Sequence, residues 1–230
     1  MIVRDLGDAW QVVLQTDHAD LSGALALAWA DRGPRHESLV VAAARHDDGW
    51  AVWERAPRID RETGRPVNFL DVDVTSHLAF YRAGIAAITE EDEYAGLLVS
   101  MHGAGIYRQR YGLDTSLGLT RAAEVQGDVD AFVAEQEAKF GGEPKGRWED
   151  YELLQLFDRL SLYFCMRDGE EAELQGYRIE PVAPWHVHLS PYPFEAGAAG
   201  FSLLRRVIPK NGRADVLGTP PERVEISVEP

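Results

Sequence analysis

A chain of 230 residues, 45% of them hydrophobic, is long enough to bury a sizeable core, and one body with an appendage is more economical than two equal domains. Its net charge of -15 opposes a broad nucleic-acid-binding face, so a small anionic molecule in a local basic pocket is the expected partner rather than a nucleic acid polymer. No apolar run approaches the roughly 20 residues that cross a bilayer. The opening MIVRDLGDAW has neither the basic flank nor the apolar stretch of a secretion signal, so no membrane partner is expected. Cys165 is the single cysteine; without an internal disulfide a reducing cytosol is the simplest compartment, and its apolar neighbours at 160–166 assign it to packing.

Residues 10–14 predict a short strand, after which Asp17 caps a helix through Leu21, Leu25 and Trp29, with His18 in the first turn. Gly33-Pro34 ends that element. The next helix, over 36–48, has Leu39, Val40, Ala43 and Ala44 on its apolar side and ends on His46 and Asp47. Gly49 and the proline-containing stretch 57–66 predict a loop, leaving Trp50 and Trp53 beside the helix end as packing groups or pocket walls. Helices over 71–88 and 93–107 carry His77 and His102, and Gly96, Gly103 and Gly105 read as points of close backbone packing. A helix over 120–140 with a charged face is interrupted by Gly141-Gly142 and Pro144; a long one over 148–166 carries Asp158 beside an apolar stripe.

After Asp168 the composition changes. The runs 186–189, 201–207 and 224–228 are strand-like and separated by Pro, Gly and Asn, while the acidic tip 170–173 reads as a solvated turn. The expected fold is mainly α, a helical bundle over residues 1–175 including a short N-terminal strand. A small C-terminal antiparallel β appendage, 176–230, would pack on the same core. An aromatic or alanine-rich helix face leaves a homo-oligomer open.

Chemistry concentrates in His18, the pair His46-Asp47, His77, His102 and Asp158. Mixed imidazole and carboxylate ligands suit transition metals, whereas magnesium and calcium prefer oxygen alone. Each residue taken singly has an ordinary reading: a cap for His18, a buried hydrogen-bonded histidine for His77, a tight helix crossing at His102, an arginine pair for Asp158. As an ordered set they point to metal binding. Adjacent His46 and Asp47 leave a helix about 100 degrees apart and can flank an ion; Asp48, beside them, is the candidate for orienting water or transferring a proton. His186 and His188 alternate along a strand and stay outside the set. The chain has no glycine-rich phosphate loop and no serine-nucleophile elbow.

Through QTDHADLSG, VVAAARHDDGW, TSHLAFY, LLVSMHGAG and LFDRLSLYF the chain resembles the HD-domain superfamily of metal-dependent hydrolases and oxygenases. Over roughly 12–168 it is also similar to an uncharacterised bacterial family, domain of unknown function 3891. The HD resemblance implies a helical core in which His18, His46, Asp47 and Asp158 surround one ion. Asp47 would bridge to a second ion held also by His77 and His102. The implied cofactors are one or two divalent transition-metal ions, iron or manganese ahead of zinc. The simplest HD sites are H, HD, D with one metal, and the chain lacks the GYP motif of cyclic dinucleotide hydrolysis.

The implied activity is phosphohydrolysis of a small phosphorylated molecule by metal-activated water, with Arg45, Arg108, Arg110 or Arg159 meeting the phosphate. Two alternatives stand beside it, a diiron oxygenase acting on a small polar substrate and a non-catalytic metal-stabilised binding or scaffold protein. In any of these Trp50, Trp53, Tyr107 and Trp185 line a cavity or anchor the core.

Overall fold

The structure is a computed structural model that describes residues 1–113, 125–140, 147–167, 169–195, 197, 199–211 and 213–230. The chain opens with a hairpin of β1 (Ile2–Asp5) and β2 (Ala9–Val13), continues through the helices, and returns to strands. The helices are α1 (Gln15–Ala28), α2 (His36–Arg45), the single turn α3 (Ala51–Glu54), α4 (Val74–Glu91), α5 (Glu93–Tyr107), α6 (Gln126–Phe140) and α7 (Arg147–Met166). Then come β3 (Ala172–Leu174), β4 (Tyr177–Ala183), β5 (His186–Ser190), β6 (Ala199–Pro209) and β7 (Glu222–Glu229).

All these strands form one seven-stranded sheet in the order β1-β2-β6-β7-β5-β4-β3, antiparallel except where β5 runs parallel to β7. The expectation of a mainly α, HD-like helical bundle with a small antiparallel β appendage is therefore corrected. About half of the chain is helical, and the sheet is mixed and draws strands from both ends of the sequence. β2 lies against β6, Trp10 opposite Ile208. Three strands escaped the sequence reading for physical reasons. β1 and β3 have only 4 and 3 residues, too few for a period-two pattern to show. β4 contains Pro181, which normally argues against a strand; here the register shifts between Pro181 and Ala183, an irregularity that accommodates the ring.

Helix starts follow local chemistry more closely than the pattern did. α1 begins at Gln15, not after Asp17, because Glu54 reaches across from α3 and accepts the Gln15 backbone N–H at 2.7 Å. Asp17 instead faces Arg206 of β6 at 3.5 Å. Asp73 caps α4 by accepting from Ser76 N–H at 2.8 Å, and Asp92 caps α5 by accepting from Tyr94 and Ala95 N–H at 2.9 Å. The expected helix over 120–140 is described from Gln126; residues 120–124, the break at Gly141-Gly142 and Pro144, and Asp168 lie outside the described residues.

Helices α1 and α7 pack on the sheet. Val187, Leu189, Phe201, Leu203, Ile226 and Val228 from the strands are buried in one cluster with Leu25, Trp29, Phe157, Leu160 and Phe164 from α1 and α7. Trp29 meets Phe157, Tyr177 and Phe194 edge-on at 5.0 to 5.7 Å. Two glycines let backbones approach where chemistry is placed. A methyl on Gly23 would lie 2.5 Å from Ala44 Cβ, so α1 and α2 touch directly, and one on Gly49 would strike the Phe80 carbonyl of α4. Among the described residues no helix is long and apolar enough to cross a membrane.

Candidate metal centre

Three helical positions converge where α1, the end of α2 and α7 meet. His18 lies on α1, His46 and Asp47 follow the last turn of α2, and Asp158 projects from the middle of α7; all four are 1–3% exposed. His18 Nε2 and His46 Nε2 are 3.1 Å apart. Asp47 Oδ2 lies 3.3 Å from the first and 3.7 Å from the second, and Asp158 Oδ1 lies 3.5 Å from each. Neighbouring ligands of an ion bound at about 2.1 Å are separated by about 3.0 Å in an octahedron and about 3.4 Å in a tetrahedron. The His18, His46 and Asp47 spacings are those of atoms that could share one ion, and Asp158 lies as near to both imidazoles.

Hydrogen-bond directions sharpen the fit. Ser161 Oγ donates to the Asp158 carbonyl at 2.8 Å and so accepts from His18 Nδ1 at 2.6 Å, which puts the His18 proton on Nδ1. His46 Nδ1 donates to the Ala43 carbonyl at 2.8 Å. Both Nε2 atoms of the neutral rings thus carry bare lone pairs that face each other and two carboxylates. Only a cation between them satisfies such a group, either a proton or a metal ion. The outward atoms of the carboxylates are also held: Tyr81 Oη donates to Asp47 Oδ1 at 2.8 Å, and Arg110 Nη1 to Asp158 Oδ2 at 2.7 Å. Partners behind each ligand orient the donors of metal sites, and each of the four has one here.

The electrostatics agree. Burial works against a charged His46, but Asp47 and Asp158 outweigh it and raise its pKa to about 9. Burial alone would raise the Asp47 carboxyl, yet the imidazoles of His46 and His18 hold it below the usual carboxylate range. Asp158 is likewise held well below that range against the effect of burial, chiefly by the Arg110 guanidinium and then by His46. His102 moves the other way, pushed down to about 3 by burial and by the neighbouring His46 and Arg110, so it stays neutral.

The other candidates have different positions. His102 lies within 4.8 Å of His46 and Asp158 through one ligand atom of each, a second group able to hold an ion, although its ring nitrogens both have hydrogen-bond partners. His77 is one ring further out; its Nδ1 meets Tyr107 Oη at 2.5 Å and its ring packs on Trp50 and Tyr81. Asp48 does not turn toward the centre: it pairs with Arg45 at 2.7 Å, partly exposed. Of the arginines considered for a phosphate, Arg110 is buried at the centre, Arg45 is taken by Asp48 and Glu91, Arg108 pairs with Glu137, and Arg159 donates to the Leu113 carbonyl. His186 and His188 lie on β5 beside Glu229 and the Pro230 carbonyl. Cys165 is fully buried, as packing requires.

Sequence reasoning missed Tyr81, Gln15, Gln155 and Ser161. Gln15 Nε2 donates to Asp47 Oδ2 at 3.2 Å. Two carried a signal: Tyr81 follows His77 by four residues and Ser161 follows Asp158 by three, the spacings that share a helix face. Beside the centre lies a small cavity of about 60 Å³, lined by Gln15, His18, Asp47, His77, His102, Arg110 and Asp158 against Trp50, Phe69, Leu70, Ile106 and Leu162.

Fold and centre together define a class, an α+β protein with a buried two-histidine, two-carboxylate donor group at the foot of a cavity. Within it, the chain matches the family described as Protein of unknown function (DUF3891) over residues 1–210, and it belongs to that family. No curated protein and no solved structure matches it.

Proposed function

We propose that the protein is a metal-dependent phosphohydrolase in which His18, His46, Asp47 and Asp158 hold one divalent ion, in the manner of the HD superfamily, and which acts on a small phosphorylated molecule. One observation carries this reading: donor atoms of His18, His46 and Asp47 lie 3.1 to 3.7 Å from one another, Asp158 approaches both imidazoles at 3.5 Å, and their remaining polar atoms are tied back, at the edge of a cavity. The order H, HD, D on α1, the end of α2 and α7 is that of the single-metal HD site. Two carboxylate oxygens beside two imidazoles favour iron or manganese, with zinc third. A bound divalent ion supplies Lewis acidity toward a phosphoryl oxygen and lowers the pKa of a water it holds.

The chain's own residues then do the rest. Together with Arg110, a divalent ion exceeds the two carboxylates by one positive charge, which attracts an anionic group to the cavity floor. Trp50, Phe69, Leu70, Ile106 and Leu162 exclude water and hold the organic part of the substrate. Gln15 Oε1 and Trp50 Nε1 are buried without a hydrogen-bond partner among the described residues, and they supply one acceptor and one donor for polar groups on it. His77, on the cavity wall and steadied by Tyr107, is better placed to move a proton than Asp48, which is neutralised by Arg45. The single cysteine and the acidic charge suit a cytosolic setting.

A panel of phosphomonoesters, phosphodiesters and nucleotides, assayed for phosphate release with iron, manganese or zinc added, tests the assignment. The proposal expects hydrolysis of at least one class, abolished by Asp158→Asn and retained by Asp48→Asn. Oxygen consumption by an iron-loaded protein that releases no phosphate would replace it with the oxygenase reading, and a metal-bound protein inert in both assays with the scaffold reading.

A further inference from the structure

Arg110 reaches the centre from an uncommon backbone. After α5, Gln109, Arg110 and Tyr111 take φ of 52°, 48° and 53°, successive left-handed residues none of which is glycine. Such conformations persist where surrounding contacts over-determine them, and they gather at functional sites. The contacts here are those of the guanidinium, since Arg110 is buried and its Nη1 donates both to Asp158 Oδ2 and to Gln155 Oε1.

A guanidinium can only donate, and this fixes the direction of every bond that follows. Because Gln155 Oε1 accepts from Arg110, the Gln155 amide nitrogen is the atom facing His102, and it donates to His102 Nδ1 at 2.9 Å. Nδ1 therefore carries the lone pair and Nε2 the proton. His102 Nε2 faces Tyr81 Oη at 3.3 Å, whose own proton goes to Asp47 Oδ1 at 2.8 Å. The chain of donors runs in one sense from Arg110 through Gln155, His102 and Tyr81 to Asp47, and no step in it asks two donors or two acceptors to meet. A ligand role for His102 would need a ring lone pair turned to an ion, yet one nitrogen is covered by the Gln155 amide and the other holds a proton.

We propose that Arg110 is a positioning residue whose guanidinium holds both carboxylates of the centre, Asp158 directly and Asp47 through Gln155, His102 and Tyr81, so that each presents a single oxygen, and that His102 is a relay in this chain rather than a metal ligand. The consequence for metal binding rests on the reading of the centre as a metal site; the tautomer of His102 does not.

Long-range proton–nitrogen correlation spectra of the full chain, recorded after chelation and during titration with zinc ion alone, read both. His102 is expected as the neutral Nε2–H tautomer throughout, while the Nε2 resonances of His18 and His46 respond to zinc. Gln155→Glu replaces the donor facing His102 by an acceptor; it should turn His102 into the Nδ1–H tautomer and weaken zinc binding by about tenfold or more. Tyr81→Phe cuts the last link, so it should weaken zinc binding by a similar factor while leaving the His102 tautomer as in the wild type. An Nδ1–H tautomer in the wild-type protein, or zinc shifts at His102 equal to those at His18 and His46, would overturn the relay. Zinc affinity unchanged in both folded variants would overturn the positioning role. A spectrum in which no histidine responds to zinc would remove the metal reading and its consequence for Asp47, while an Nε2–H His102 in that spectrum would still uphold the relay.

Discussion

At the scale of single residues the account turns on what sits between His18 and His46. Their Nδ1 protons are committed to Ser161 and Ala43, so an ion and a proton compete for the same lone pairs. His46 is raised from its usual 6.5 to about 9. A group raised on folding adds stability that is complete below about pH 6.5 and is lost as pH climbs through about 9. The chelated protein should therefore unfold at progressively lower urea between pH 6.5 and 9. A saturating divalent ion should flatten that slope, because the ion takes the place of the proton and its binding releases one. Urea midpoints measured across this window with and without metal check the point, and a chelated protein that gains stability over the same range would contradict it. The donor residues themselves were legible in the sequence because H, HD and D are residue types in a fixed order. Their direction was not. Asp48, expected to orient water or move a proton, is instead paired with Arg45, a contact that the sequence does not display.

Among the elements, the contact between α1 and α2 sets the distance from His18 to His46. Gly23 is its fulcrum, with Ala44 where a side chain would go. Gly23→Ala should force the helices apart, costing about 1–3 kcal/mol of stability as overpacking does and weakening metal binding with it. Gly127→Ala is the control, since a methyl there meets nothing within 4 Å; on α6 it should raise stability by up to about 1 kcal/mol. Urea unfolding of both proteins, with zinc titrated into each, separates the two effects. Equal stability in both variants would mean that the helices tolerate separation and that the site is not tuned by their contact. Helices were read well where the apolar period was long: the expected 93–107 is α5 to the residue, and α7 differs at one end by one residue. The start of α1 was missed because its cap, Glu54, arrives from a distant turn that no local pattern announces.

The whole molecule is held by its sheet as much as by its helices. β7, near the end of the chain, lies between β6 and β5, so it joins the strands from the N-terminal hairpin to those after α7. Sequence patterns located four of the strands but carry no information on their order, which is decided by long-range pairing. A fragment of residues 1–175 would leave β1 and β2 without β6 and would expose Trp29, Phe157 and Phe164 to solvent. It should not show a cooperative thermal transition, whereas the full chain should; a fragment that melts cooperatively would return the sheet to the status of an appendage. At this scale the fold's role is to bring α1, α2 and α7 to one point, and the most direct test of that claim is elemental analysis of the folded full chain purified without added metal or chelator, alongside Asp158→Asn and Asp48→Asn. The account predicts close to one divalent transition-metal ion per wild-type chain, lost in Asp158→Asn and retained in Asp48→Asn. A wild-type protein without metal, or an Asp158→Asn protein that keeps the full complement, would contradict it.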